Sequence, residues 1–403
     1  MPWARRRDVP LTQPSPKGRG LFFSLSRWER AGVRVSEPVE ADTEHMRAAV
    51  ALARRGIGST APNPSVGCVV VKDGRVVGRA VTAPGGRPHA EPAALAMAGD
   101  AARGATVYVT LEPCCHWGRT PPCTDALIAA EVARVVIAAR DPDPRVDGEG
   151  ISRLRAAGIA VTEGLLAGEA AETIAGFSTR VRLGRPLVTL KLASTLDGRI
   201  ATHAGESQWI TGEDARKAAH GLRGRNDAVM VGVGTVLADD PDLTCRIPGF
   251  RPAPNVRVIA DSHLRTSLTS RLVSTAARAP VWFLHREGAA PERRRALSEA
   301  GARLIEVRGS AAGVDLAAGL TALAGAGINR LMVEGGGQLA AALLRADLVD
   351  RIAWFHAPAV MGADGWPAAQ AFGVETLAAM PRFLRQSAVP VGADILTHLR
   401  RAA

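Results

Sequence analysis

Four side chains with the right chemistry to share one reaction centre fall in three short stretches: Pro88–His89–Ala90–Glu91, Leu111–Glu112–Pro113–Cys114 and Pro121–Pro122–Cys123. His89, Cys114 and Cys123 offer one imidazole and two thiolates. That is the three-ligand set with which a catalytic zinc is held, leaving a fourth position open. Glu91 stands two residues after the histidine, on the first turn of the same expected helix. There it is placed as a general acid/base, taking a proton from metal-activated water and passing it to a leaving amine.

Taken singly, these residues say little. A lone His-x-Glu is usually a surface pair, and Cys114 alone reads as a small buried hydrophobe. A structural zinc would require a fourth protein ligand. Cys115 or His116 could offer one, although a direct neighbour of Cys114 rarely reaches the same metal. The conjunction and its order match the zinc deaminases, in which the glutamate is not a ligand. Base and nucleoside deaminases usually place two residues between the cysteines, whereas here the gap from Cys114 to Cys123 is eight. Helix starts at His89 and after Cys114 are expected to favour the anionic thiolate. Cys68 and Cys245 read as packing residues.

The chain has 403 residues, enough for two or three domains, and a formal net charge of +11. Its 47% hydrophobic and 22% charged composition is that of a globular protein. The charge points towards nucleic acid until it is located. Residues 1–36 carry eight basic groups against two acidic ones, so +6 sits there and +5 is left for the remaining 367 residues. Residues 1–40, aperiodic and rich in Pro, Gly, Ser and Arg, read as a disordered extension or as translation from a start upstream of the native one. The apolar run Leu21–Leu25 is too short for a signal-peptide core, and no stretch is long enough to span a membrane. Five cysteines make no disulfide framework, which suits a reducing cytoplasm.

The elements that must position the chemistry follow from periodicity. A helix capped by Thr43 carries Met46, Ala49, Val50 and Ala53 on one face and ends at Arg54–Arg55–Gly56. Strands Val66–Val71 and Arg75–Val81 are joined by a turn with the Asp73–Gly74 signal. A helix from Pro88 to Met97 and a strand from Thr106 to Leu111 follow, then helix Thr124–Ala130, strand Arg134–Ala139, helix Ser152–Ala157 and strand Ile159–Thr162. The expected result is a mixed sheet with helices on both faces. The basic stretch Arg180–Pro186 marks a boundary. Beyond it, strands at 187–192, 227–233, 256–260, 281–284, 303–307, 330–333 and 352–355 alternate with helices at 213–222, 292–300, 314–324 and 338–344, predicting a second α/β domain. Strand Arg330–Val333 runs into Glu334–Gly335–Gly336–Gly337 and a helix, a place where backbone N–H groups could cradle phosphate. Gly232–Val233–Gly234 lacks the third glycine of a dinucleotide fingerprint. Residues 235–246 read as a surface turn.

His89–Ala–Glu91, Thr110–Leu–Glu–Pro–Cys114 and Gly118–Arg–Thr–Pro–Pro–Cys123 resemble the bifunctional riboflavin-biosynthesis family, a diaminohydroxyphosphoribosylaminopyrimidine deaminase joined to a 5-amino-6-(5-phosphoribosylamino)uracil reductase. So do Pro62–Asn63–Pro64–x–Val66–Gly67 and Lys191–Leu–Ala–Ser–Thr–Leu–Asp–Gly198. The likeness runs from about Ala41 to the C-terminus, with Cys115 and Trp117 departing from the usual pattern. The resemblance implies a cytidine-deaminase-like three-layer α/β/α domain over residues 41–184. Over residues 185–403 it implies a dihydrofolate-reductase-like α/β domain. It implies zinc on His89, Cys114 and Cys123, Glu91 as the catalytic residue, and NADPH as second cofactor. Cofactor contacts would be Ser194, Trp209, Thr235, Asp239, Ser262, Gly336, Gly337 and Gln338. Substrate contacts would be Asn63, Lys191, Ser207, Arg223, Leu243, Arg246 and Glu334, with Arg223 and Arg246 suited to a ribose 5-phosphate. The expected partner is a small phosphorylated pyrimidine, with neither nucleic acid nor membrane, and a homo-oligomer is compatible with this reading. Two rival readings make different demands. A nucleic-acid base deaminase calls for the short cysteine gap and a basic groove. A zinc-stabilised binding module calls for four protein ligands and gives Glu91 no role.

Overall fold

A computed structural model describes residues 37–310 and 313–402. The expected N-terminal extension lies outside the described residues, apart from its last few positions. Residues Asp42–Ala403 form a single unit built around two large sheets.

The first sheet is ordered β2-β1-β3-β4-β5, from β1 (Gly67–Lys72), β2 (Arg75–Val81), β3 (Thr106–Val109), β4 (Arg134–Ile137) and β5 (Ala160–Glu163). β1 runs antiparallel to β2 and β3, while β3, β4 and β5 are parallel, so the sheet is mixed as expected. Asp73 and Gly74 both take positive φ, 48° and 73°, matching the right-handed twist of the hairpin they join. Helix α1 (Glu37–Gly56) begins before Thr43, which therefore lies inside it rather than capping it. Its apolar stripe is the one read from periodicity: Met46, Ala49, Val50 and Ala53 are buried. With the start of α5 (Ala167–Leu183), α1 covers one face of the sheet. Helices α2 (Ala90–Ala98), α3 (Cys123–Ala129) and α4 (Glu149–Ala156) contribute to the core on the other, giving three layers. α3 starts only at Cys123, so no helix follows Cys114 directly.

The second sheet has nine strands, ordered β11-β10-β9-β8-β14-β6-β15-β18-β17. They are β6 (Leu187–Ser194), β8 (Ala228–Gly232), β9 (Val256–Ala260), β10 (Val281–Arg286), β11 (Arg303–Val307), β14 (Arg330–Glu334), β15 (Arg351–His356), β17 (Phe383–Val391) and β18 (Asp394–Arg401). β7 (Arg199–Ala201) pairs with β16 (Trp366–Pro367), and β12 (Gly309–Ser310) with β13 (Gly313–Val314). All neighbours from β11 to β15 are parallel, and the hairpin β17–β18 joins β15 antiparallel. Helices α6 (Glu213–Gly224), α7 (Val233–Asp239), α8 (Arg271–Ser274), α9 (Pro291–Glu299), α10 (Leu316–Gly325) and α11 (Gly337–Arg345) complete this half. Central β14 is buried from Leu331 to Glu334 between two apolar clusters, as a parallel strand covered on both faces must be. The segment 235–246, read as a surface turn, instead continues a helix, α7, before it turns. Among the described residues no helix is long and apolar enough to cross a membrane.

Candidate active site

His89 is the N-cap residue of α2, so its backbone is extended at the helix start and its ring projects beside the first turn. The ring Nδ1 lies 3.3 Å from Cys123 Sγ and 3.7 Å from Cys114 Sγ. All three donor atoms lie within 4.8 Å of one another. The Cys123 backbone N–H donates to Cys114 Sγ at 3.3 Å, because α3 begins at Cys123 and turns its free amide towards the sulfur. Hydrogen bonding from Cys123 and then His89 draws the Cys114 thiol down to about 4, while the Cys123 thiol is pushed up beside it. Two convergent sulfurs and an imidazole nitrogen fit a zinc ion by number, type and spacing. Cys115, by contrast, donates to Arg145 O at 3.6 Å, away from the triad.

Glu91 is 4% exposed, on the first turn of α2. Burial, then the Cys114 thiolate, pushes its carboxyl up to about 7, where it can both accept and return a proton near neutrality. His89, Glu91 and Cys114 face one cavity of about 520 Å³, whose walls also carry Asn63, Arg87, Arg119, Asp141, Asp143, Phe177 and Arg180. Asn63 Nδ2 lies 3.0 Å from His89 Nε2, on the side of the ring away from the cysteines. Glu112, adjacent to Pro113–Cys114, has a separate task. Its buried carboxylate accepts from the N–H groups of Gly148 at 2.9 Å and Ile151 at 3.2 Å, capping α4 and fixing the loop that carries Cys114. Sequence reasoning did not single out Asp141, Asp143 or Arg180. The first two follow β4 in an irregular loop, and Arg180 was absorbed into the basic boundary stretch.

A second cavity of about 670 Å³ lies at the other sheet. It gathers Lys191, Ser207, Trp209, Arg223, Thr235, Asp239, Leu243, Arg246 and Glu334 from six separate segments. Arg223 forms a bidentate pair with Glu334, at 2.6 and 2.9 Å, so two of its nitrogens face a carboxylate. Burial would raise the Glu334 carboxyl, but Arg223 outweighs it and holds it below its usual range. Arg246 Nε lies 3.2 Å from His220 Nε2, a neighbour not anticipated from sequence. Burial, with Arg223 and Arg246 adding to it, keeps His220 below its ordinary pKa. The Lys191 ammonium lies 5.7 Å from the Phe355 ring and is lowered by burial. Arg216 stacks on the exposed Trp209 ring at 4.6 Å.

Other expected contacts lie off this wall. Ser194 is fully buried, donating to Thr195 O at 2.8 Å and accepting from Trp354 Nε1 at 2.9 Å. Ser262 Oγ accepts from Val314 N at 3.1 Å. Gly336, Gly337 and Gln338 form the start of α11, and only the preceding Gly335 lines the cavity. A Cβ on Gly335 would stand 2.6 Å from Thr235 Oγ1, so the chain there must be glycine to approach α7.

Two family models match the chain: the cytidine and deoxycytidylate deaminase zinc-binding region over residues 39–139, and the RibD C-terminal domain over residues 186–396. The riboflavin biosynthesis protein RibD of Escherichia coli is 43% identical over 372 residues, covering 89% of this chain and 99% of the relative. That of Aquifex aeolicus is 44% identical over 323 residues, 80% of this chain and 88% of the relative. Among solved structures, Acinetobacter baumannii RibD superposes with a TM-score of 0.81 at 37% identity over 90% of this chain and 99% of its own. A Thermotoga maritima diaminohydroxyphosphoribosylaminopyrimidine deaminase/5-amino-6-(5-phosphoribosylamino)uracil reductase superposes with a TM-score of 0.78 at 34% identity, with the same coverage. A histidine–cysteine–cysteine centre with a buried glutamate in one half, a second cation-lined cavity in the other, and relatives matched across both halves lead to one conclusion: the chain belongs to the RibD family of riboflavin biosynthesis proteins.

Proposed function

We infer that this chain carries out both reactions named for the Thermotoga maritima relative, deaminating the diaminopyrimidine in residues 41–184 and reducing its ribosyl group in residues 185–403. In the first half His89, Cys114 and Cys123 would hold the zinc, which when bound supplies a Lewis acid that acidifies water. Glu91 would take a proton from water at its carboxylate as the water oxygen bonds to the amino-bearing carbon, and would give that proton to the amino nitrogen as its bond to this carbon breaks and ammonia leaves. Its burial keeps the proton from exchanging freely with bulk solvent during the transfer. Asn63 lines the same cavity as an expected substrate contact, and Arg87, Arg119 and Arg180 add cations to its wall that suit a phosphorylated substrate.

In the second half NADPH, when bound, supplies hydride to C1′ of the ribosyl group, so the protein is asked mainly to bind and orient. Lys191 and Arg246 are the cations placed to hold the phosphate of the substrate, because Arg223 is engaged by Glu334. Trp209, Thr235 and Asp239 offer an aromatic face and polar groups for the cofactor. A phosphorylated small molecule as substrate, and five cysteines that are all free, suit the cytoplasm.

The observation that carries this reading is the convergence of His89 Nδ1, Cys114 Sγ and Cys123 Sγ on one point beside Glu91, in a chain with a second, separate cavity. The test is to supply the diaminopyrimidine with and without NADPH and follow products by mass. Ammonia and the deaminated ribosyl compound are expected without NADPH, and the ribityl compound only with it. Reduction without prior deamination would overturn the proposed order.

A further inference from the structure

The guanidinium of Arg246 is held by an imidazole rather than by a carboxylate. Helix α6 carries Arg216, His220 and Arg223 at four- and three-residue steps, and all three line the second cavity. His220 Nε2 lies 3.2 Å from Arg246 Nε and 3.1 Å from Arg246 Nη2, while His220 Nδ1 lies 3.2 Å from Thr244 O. A guanidinium can only donate, so Nε2 must present its lone pair, and the ring proton sits on Nδ1 and goes to Thr244 O. In this neutral tautomer the Arg246 backbone N–H, 3.3 Å from Nδ1, faces another donor and makes no bond to the ring. The opposite tautomer would keep that one bond and lose the other two. An imidazolium would keep only the bond to Thr244 O.

The backbone that carries Arg246 does not need this ring. Asn255, fully buried, accepts from Cys245 N at 3.3 Å and donates to Leu243 O at 3.1 Å, and Arg223 Nη1 donates to Thr244 O at 3.3 Å. What the ring fixes is the side chain. Arg246 is exposed and, among the described residues, pairs with no carboxylate, whereas Arg223 is engaged by Glu334 through two nitrogens. Arg246 thus keeps an uncompensated charge, anchored along its Nε–Nη2 edge. Ordering an exposed arginine when a ligand arrives weakens binding, and an anchor made beforehand removes that cost.

We propose that His220 is a positioning residue for the reductase half: its neutral, Nδ1-protonated ring orders the Arg246 guanidinium for the substrate phosphate. The proposal rests on the reading of Arg246 as a phosphate-holding cation. Protonation of the ring would set an N–H and a second positive charge against the guanidinium. Three charged groups act on the ring: Arg223 from its own helix, Arg246 from the segment after α7, and Glu334 from β14. Burial first, and then the two arginines, outweigh Thr244 O and Glu334, so the ring takes a proton only below its ordinary value of 6.5.

The test uses the full chain with His220→Ala, His220→Gln, Arg246→Ala and the double variant. Reductase kcat and KM are measured with the deaminated ribosyl phosphate, ribose 5-phosphate binding is followed by calorimetry, and ammonia release reports that the chain is folded. Loss of one hydrogen-bonded anchor raises KM roughly three- to tenfold in His220→Ala and leaves kcat within about twofold. Glutamine offers an acceptor oxygen near the place of Nε2 and takes no proton, so His220→Gln restores KM to within roughly twofold at neutral pH. As the pH falls from about 7 to about 5, the wild-type KM rises over that of His220→Gln. The phosphate titrates alike in both, so their ratio reports the ring. In an Arg246→Ala chain, His220→Ala adds nothing further. A flat ratio would overturn the proposal, as would an equal effect of His220→Ala with and without Arg246. A normal KM in His220→Ala beside a raised one in Arg246→Ala would overturn it while leaving the phosphate reading intact. A normal KM in Arg246→Ala would end that reading and the proposal together. If the wild-type chain binds ribose 5-phosphate yet oxidises no NADPH, the reductase reading fails, and weaker binding in His220→Ala that recovers in His220→Gln still establishes the positioning.

Discussion

Replacing Gly176 by alanine sets a local rule against a tertiary one. Gly176 lies inside α5, where Gly→Ala is worth about 1 kcal/mol of helix stability. A Cβ there would stand 2.5 Å from Arg330 Cγ, 2.8 Å from Asn329 O and 3.1 Å from Asn329 C. The arginine side chain can move, but the Asn329 backbone cannot easily do so. Its carbonyl is bonded to Leu187 N, and the Asn329 and Arg330 N–H groups are both bonded to Asp227. The helix must then lift from β14, and overpacking of this kind costs about 1–3 kcal/mol. Backbone contact at this distance belongs at the upper end, so a net loss of about 2 kcal/mol is expected. For a unit of this size, at about 1.3 °C per kcal/mol, the melting temperature falls by about 2–3 °C. Gly168→Ala is the control, because nothing lies within 4 Å of a Cβ at that position of the same helix. It should melt no lower than wild type. Thermal unfolding followed by far-ultraviolet circular dichroism compares the three proteins, and a Gly176→Ala protein that melts above wild type would refute the packing argument.

Three further outcomes are expected. Glu91→Gln should lower ammonia release by roughly 10²–10⁴-fold and leave NADPH oxidation with deaminated substrate intact, and undiminished ammonia release would remove Glu91 from the chemistry. Arg246→Ala should raise the reductase KM roughly ten- to a hundredfold, as the loss of charge-assisted hydrogen bonds of about 1.5–3 kcal/mol requires, and a normal KM would place the phosphate elsewhere. Asp42 accepts from Arg134 at 3.0 and 2.7 Å and from Tyr108 at 2.6 Å. Burial alone would raise its carboxyl, but these partners outweigh it and hold it below 3.8. A lowered carboxylate pKa stabilises the fold above the unfolded value, and that stability is lost as the pH falls through the folded one. Asp42→Asn should therefore cost about 1 kcal/mol at neutral pH, after the discount for partial exposure, and the difference should close in acid below pH 3.8. Denaturant titrations at both pH values check this, and a pH-independent difference would contradict it.

Legibility followed physical cause. The Asp73–Gly74 turn and the bounds of strands β2, β9 and β11 are legible to the residue, because turn chemistry and clusters of β-branched and aliphatic residues between turn signals are local. α5 was missed because its buried positions Ala170, Thr173, Ile174 and Gly176 are mostly small. Such a face shows almost no apolar period and owes its helix to close packing. α7 buries only Val236, and most of β17 is exposed, so neither carries a hydrophobic pattern of its own. Arg180 looked like part of a basic linker because its partners, Pro62 and Asn329, are far away along the chain.

What the sequence determined alone is a short list of groups able to react together. A histidine, a glutamate two residues later and two cysteines beside prolines limit the chemistry to a few possibilities, since ligand type and helix spacing are local properties. Tertiary structure decided which groups are free to act. Arg223 looked like a phosphate clamp and is turned to Glu334, Ser194 looked like a cofactor contact and is buried against Trp354, and Asn329 carried no signal yet reaches the loop that carries Asn63. A side chain's partners are set by the strands and helices packed around it, and those come from residues the local pattern cannot see.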